Sequence, residues 1–131
     1  MTVGGPLRGL VMDYAGVLDD APELIDLVSR ARAAGARTAL VTDAHAVPEP
    51  VADEFELVVL GAALGVRKPD PELYRRVAAR LGLRAADCIV VDDQLRNLRG
   101  ARSVGAVVVH HEAGPTTVLE VETLLGLPTT S

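Results

Sequence analysis

The stretch CIVVDDQLRNLRGARSVGAVVV, residues 88–109, decides the fold. It opens on an apolar run, Cys88–Val91, that does not alternate apolar with polar. A strand covered on both faces reads that way. The run delivers two acidic residues, Asp92 and Asp93. A helical pattern over about 94–103 follows and stops before Gly105. A second apolar run, Ala106–Val109, comes next. Strand, helix and strand in this order make a right-handed crossover in a parallel sheet.

The rest of the chain repeats the unit. Leu10–Met12, Thr38–Thr42 and Leu57–Leu60 are further apolar runs. A first helix is expected over about 21–34, with Asp20 and Glu23 at capping-box spacing and Gly35 ending it. Asp70-Pro71 predicts a helix start, with Asp as N-cap and Pro in the first turn. Its apolar face is Leu73, Val77 and Leu81, and Gly82 stops it. Residues 44–55 read as a loop and one helical turn, because Pro48 and Pro50 interrupt them. A last helix is expected from Thr117, with Glu120 three residues on. The expected fold is α/β: a three-layer Rossmann-like parallel sheet of about five strands with helices on both faces. Residues 1–131 form one domain, and 112–131 form its C-terminal helix and tail.

Composition narrows the class. The apolar residues are mostly Ala, Val and Leu, with no Trp, so the core must be built from small aliphatic side chains. A net charge of −5 argues against a general nucleic-acid surface. Cys88 is the only cysteine, so no internal disulfide exists, and a buried free thiol is expected. No signal-peptide pattern and no apolar run of membrane-spanning length is present, so the expected location is cytoplasmic.

In a sheet of this kind, chemistry gathers at the carboxyl ends of the strands. That rule brings Asp13, Thr42 with Asp43, and Asp92 with Asp93 to one edge, and puts Lys68 in a loop on the same side. Each has a plain reading: a turn carboxylate, a β-forming threonine, a Lys-Pro turn, a helix cap. Together they suit phosphoryl chemistry. A carboxylate can attack phosphorus. Oxygen ligands can hold a hard divalent cation. A lysine, a hydroxyl and loop amides can hold the phosphoryl oxygens.

Four stretches resemble the haloacid dehalogenase-like (HAD) hydrolase superfamily, in that family's order. They are GLVMDYAGVL (9–18), LVTD (40–43), GVRKPDPELY (65–74) and CIVVDDQLRNLRGARSVGA (88–106). The resemblance implies roles. Asp13 would be nucleophile and magnesium ligand, and Ala15 would lend its backbone carbonyl to Mg2+. Thr42 and the amides after it would hold the phosphoryl group, with Ala15, Gly16, Asp43 and Lys68 also at the substrate. Lys68 would neutralise charge, Asp93 would bind the metal, and Asp92 would hold Lys68 or a metal water. Asn97 would brace the loop. Two-component receiver domains use similar residues, but in the order acidic pair, Asp, Thr, Lys-Pro. The order here is Asp, Thr, Lys-Pro, acidic pair, which rejects that reading.

Two departures stand out. Residues 14–41 and 43–67 are too few to carry the inserted lid usual in the superfamily. An open site implies a phosphorylated substrate that is macromolecular or bulky, or a second copy of the chain that closes it. Second, Ala15 replaces an Asp that serves family phosphatases as general acid and base. Losing such a group costs about 10²–10⁴-fold. His45 or Asp20 can stand in for it, or be an exposed loop residue and a helix cap. His110 and His111 read as loop residues after the last strand. The expected function is a magnesium-dependent phosphohydrolase working through an aspartyl-phosphate, with acid-base catalysis impaired or substrate-restricted. A non-catalytic phosphate- and magnesium-binding or partner-binding module is the alternative. Dehalogenation fits poorly, since it needs no acidic pair.

Overall fold

The computed structural model describes residues 5–129. Five strands form one parallel sheet: β1 (Gly9–Met12), β2 (Arg37–Thr42), β3 (Leu57–Leu60), β4 (Cys88–Asp92) and β5 (Val107–His110). Their order is β3-β2-β1-β4-β5. β1 is central, pairing Gly9 with Arg37 on one side and with Cys88 on the other. The helices are α1 (Glu23–Ala33), α2 (Glu49–Ala52), α3 (Pro71–Arg80), α4 (Leu95–Ser103) and α5 (Gly114–Leu125).

The non-alternating runs are explained by two cores. Leu10 and Met12 of β1, with Ile89 and Val91 of β4, face α1 and α5 and pack with Leu24, Leu27, Val28 and Leu125. The intervening Val11 and Val90 face the other way, toward Leu73, Val77, Leu81 and Leu98 of the α3–α4 side. The apolar side chains of β1 and β4 thus find apolar partners whichever way they point. Burying a residue of this size stabilises by about 1.5–3 kcal/mol, so a polar residue in either alternate set would be costly.

Helix starts follow local chemistry, with two corrections. Asp70 caps α3 as expected: its side chain accepts from the Glu72 N–H at 2.9 Å, with Pro71 next. Asp20 does not cap α1. Pro22 takes the cap position without a side-chain bond. Its fixed φ and missing N–H suit a helix entry, so the helix begins too late for Asp20 to reach it. α5 begins at Gly114, before the expected Thr117. A Cβ at Gly114 would lie 1.7 Å from Glu23 Oε1, so glycine lets the α5 entry pass close to α1, and Pro115 then sets the first turn. Thr117 lies inside the helix and bonds His111 Nδ1 through Oγ1 at 2.8 Å. His111 lies in the loop after β5, as expected, but is buried there, whereas His110 is the last residue of β5 rather than a loop residue.

Residues 14–36 hold a wide turn and α1, and residues 43–67 hold α2 and β3. Cys88 is free and buried, and burial pushes its thiol up to about 11. Gly5, before β1, lies against the Leu124 carbonyl near the end of α5. Among the described residues no helix is long and apolar enough to cross a membrane.

Candidate active site

Three strand ends and the loop before α3 build the site. Asp13 follows β1 immediately, and its extended backbone (φ −82°, ψ 160°) opens the turn over Tyr14–Leu18. Asp13 Oδ1 accepts from the Tyr14 N–H at 2.8 Å and from Lys68 Nζ at 3.1 Å. Within the turn, Gly16 has φ +77°, and a Cβ there would lie 2.3 Å from Asp93 Oδ2. Only glycine lets the first loop approach the second acidic residue this closely. Asp19 accepts from the Gly16 N–H at 2.7 Å and fixes the turn.

Asp92 ends β4 with its carboxylate fully engaged. Oδ1 accepts from the Gln94 N–H at 2.9 Å. Oδ2 accepts from Lys68 Nζ at 2.9 Å and from Asn97 Nδ2 at 3.2 Å. Lys68 is thereby clamped between two carboxylates, with its side chain only 5% exposed. Burying such a triad without these contacts would cost several kcal/mol per ion. Thr42 ends β2, buried, and its Oγ1 accepts from the Ala44 N–H at 3.2 Å.

Burial raises Asp13 above the ordinary carboxylate range; Lys68 opposes this, and Asp92 adds to it. Asp93 is raised by burial and by the neighbouring Asp92. Tyr74, on α3, is pushed well up by burial, then by Asp92, Asp13 and Asp43.

Asp13, Ala15, Thr42, Asp43, Lys68 and Asn97 line one hollow of about 190 Å³, together with Ala44, Gln94 and Arg96. Gly16 packs on Asp93 rather than on the hollow. His45 is exposed and off its wall. Asp20 is 3.9 Å from His111 Nε2, on the turn. His110 Nε2 lies 3.0 Å from the Asp93 carbonyl.

A cation is testable on the donor set. One carboxylate oxygen each from Asp13, Asp92 and Asp93 lies within 4.8 Å of the others. All are hard oxygen donors, which suits magnesium. Asn97 Oδ1, buried on the wall of the hollow, has no hydrogen-bond partner among the described residues. The residues present fit the ion.

Sequence reading missed Arg96, Gln94 and Tyr74. Arg96 follows the acidic pair by three residues, a spacing that puts it on the first helical turn, but the direction it faces was not legible. The Tyr74 hydroxyl, buried without a hydrogen-bond partner among the described residues, sits where the charge of three carboxylates is felt.

A profile of haloacid dehalogenase-like hydrolases matches residues 8–105, most of the chain. The chain belongs to the haloacid dehalogenase-like hydrolase family. Among curated relatives, it is 33% identical over 98 residues to protein CbbY of Rhodobacter capsulatus, covering 67% of this chain and 43% of that protein. It is 30% identical over 101 residues to glyceraldehyde 3-phosphate phosphatase of Methanopyrus kandleri, covering 71% and 43%. The chain thus spans less than half the length of these relatives. Among solved structures, an uncharacterized protein from Corynebacterium glutamicum superimposes with a TM-score of 0.86 at 30% identity, covering 95% of this chain and 99% of that one. A HAD family enzyme from Bacteroides thetaiotaomicron, in complex with magnesium and inorganic phosphate, shares the fold with a TM-score of 0.67 at 15% identity over 82% of this chain and 96% of that one.

Proposed function

We propose that this HAD-family chain is a magnesium-dependent phosphohydrolase that works through an aspartyl-phosphate on Asp13 and is restricted by Ala15. The observation that carries it is the clamp of Lys68 between Asp13 and Asp92 at one sheet edge, with Asp93 alongside. The magnesium and phosphate bound by the Bacteroides thetaiotaomicron enzyme support the reading.

Both contacts to Asp13 fall on Oδ1, so Oδ2 is the oxygen assigned to attack. The Oδ2–P bond forms as the bond from phosphorus to the leaving oxygen breaks. Lys68 neutralises charge at the nucleophile, and Thr42 with the loop amides holds the phosphoryl oxygens. Asp13, Asp93 and the Ala15 carbonyl would hold magnesium, with Asp92 orienting Lys68. Magnesium, when bound, supplies charge neutralisation between carboxylate and phosphate. Water then attacks phosphorus, releasing phosphate and restoring Asp13.

Ala15 leaves no carboxylate to protonate the leaving group or activate that water. Substrates with good leaving groups, acyl or aryl phosphates, need that proton least. The same residue favours the second reading, a phosphate- and magnesium-binding module without turnover. Residues 14–36 and 43–67 are taken up by a turn, α1, α2 and β3, and on this reading the site is uncapped and is closed by a bulky substrate or a second copy of the chain.

Turnover on a phosphate panel with magnesium separates the readings. Asp13→Asn should abolish activity, and Ala15→Asp should raise turnover of ordinary monoesters by roughly 10²-fold or more. Activity that survives Asp13→Asn and ignores Ala15→Asp would sink the mechanism. Magnesium binding by calorimetry with no turnover in either Ala15 form would establish the module instead.

A further inference from the structure

Arg96 is exposed on the first turn of α4 and lines the same 190 Å³ hollow. Other cations near the hollow are committed. Lys68 is held by Asp13 and Asp92, and Arg67 lies 4.0 Å from Asp43. Arg96 has no hydrogen bond or ion pair among the described residues, although carboxylates surround the hollow. Its position also opposes the helix dipole, whose positive end lies at that first turn. No acidic residue stands there to compensate. No direct partner among the described residues takes up the guanidinium donors, whereas an anion in the hollow would.

The hollow, about 190 Å³, is smaller than the roughly 300–1,000 Å³ of a full ligand pocket, so a bound phosphoryl group leaves the rest of the ligand to meet its rim. With a phosphoryl group against Asp13, Thr42 and Lys68, a short connector brings the rest of the ligand to the rim, where Arg96 and Gln94 stand. A guanidinium fork matches a carboxylate in two parallel hydrogen bonds. Gln94 adds an uncharged donor beside it.

We infer that Arg96 is a specificity residue selecting phosphorylated substrates that carry a carboxylate a short connector away from the phosphoryl group. This rests on the reading of the hollow as a phosphoryl site, and its test does not need turnover. Two phosphonates of equal length serve as probes, 3-phosphonopropionate with a carboxylate and propylphosphonate without one. Their affinities are measured by calorimetry with magnesium present.

Wild type should bind the carboxylated probe about tenfold more tightly, the low end for a hydrogen bond to a charged group. Arg96→Gln should bring that ratio toward one. Arg99→Gln makes the same charge change on the same helix, but Arg99 lines a different hollow with Leu95 and Val108; there the ratio should persist. Equal affinities in wild type overturn the inference, as does a ratio that survives Arg96→Gln or falls equally in Arg99→Gln. Those outcomes leave the phosphoryl site standing. Failure of both probes to bind wild type removes that site as well.

Discussion

Glu56 stands one residue before β3, and Arg37 Nε lies 2.8 Å from each of its carboxylate oxygens. That hydrogen bond holds Glu56 below the ordinary carboxylate range, against the opposing effect of burial. The folded value is therefore below the unfolded one, near 4.3. The stabilisation is complete above that unfolded value and is lost as pH falls through the folded one. Arg37 is largely solvated, so solvent screens the pair and its contribution is small. Urea denaturation at pH 7 and pH 3 checks this: Glu56→Gln should lose slightly less stability on acidification than wild type. An equal acid loss in both would mean that the pair contributes nothing. The site carboxylates are displaced the opposite way. Burial raises Asp13 and Asp93, so carboxyl groups respond in two directions according to whether a guanidinium hydrogen bond or burial dominates.

At the scale of elements, α4 positions the site through a glycine. A Cβ on Gly100 would lie 2.2 Å from the Pro69 carbonyl oxygen, so the helix rests directly on the loop that carries Lys68. Gly100→Ala should push that loop, destabilising by about 1–3 kcal/mol and weakening phosphate binding. Denaturation and calorimetry with inorganic phosphate measure both. Unchanged phosphate affinity would show that Lys68 is placed by its carboxylates alone. The elements themselves were largely legible. Runs buried on both faces give themselves away by not alternating, and Asp70-Pro71 signals its helix by local chemistry. Asp13, Thr42 and Asp92-Asp93 were legible as residue types at strand ends, and Lys68 as a loop residue beside them. The cap assigned to Asp20 and the late start of α5 failed because tertiary contacts decided them: Pro22 took the entry to α1, and the close approach of Gly114 to Glu23 set the entry to α5. Arg96 escaped because a helix's phase about its axis is fixed by packing, which spacing alone does not reveal.

At the scale of the molecule, the sheet separates two cores. Val28 on α1 and Val77 on α3 are both fully buried, in different clusters. Truncating either to Ala removes two methyl groups and should cost about 2 kcal/mol. With a sheet between them they share no partner, so the double variant should lose the sum to within about 0.5 kcal/mol. A departure larger than 1 kcal/mol, measured by urea denaturation, would show that the sheet transmits strain from one face to the other.

The same arrangement separates the business edge from the base. Every site residue follows a strand or opens the next helix at one rim, while Gly5 and Leu124 meet at the opposite rim. A tether or surface linker attached beside Gly5 would hang beneath the sheet, so the chain can be immobilised with its hollow facing outward.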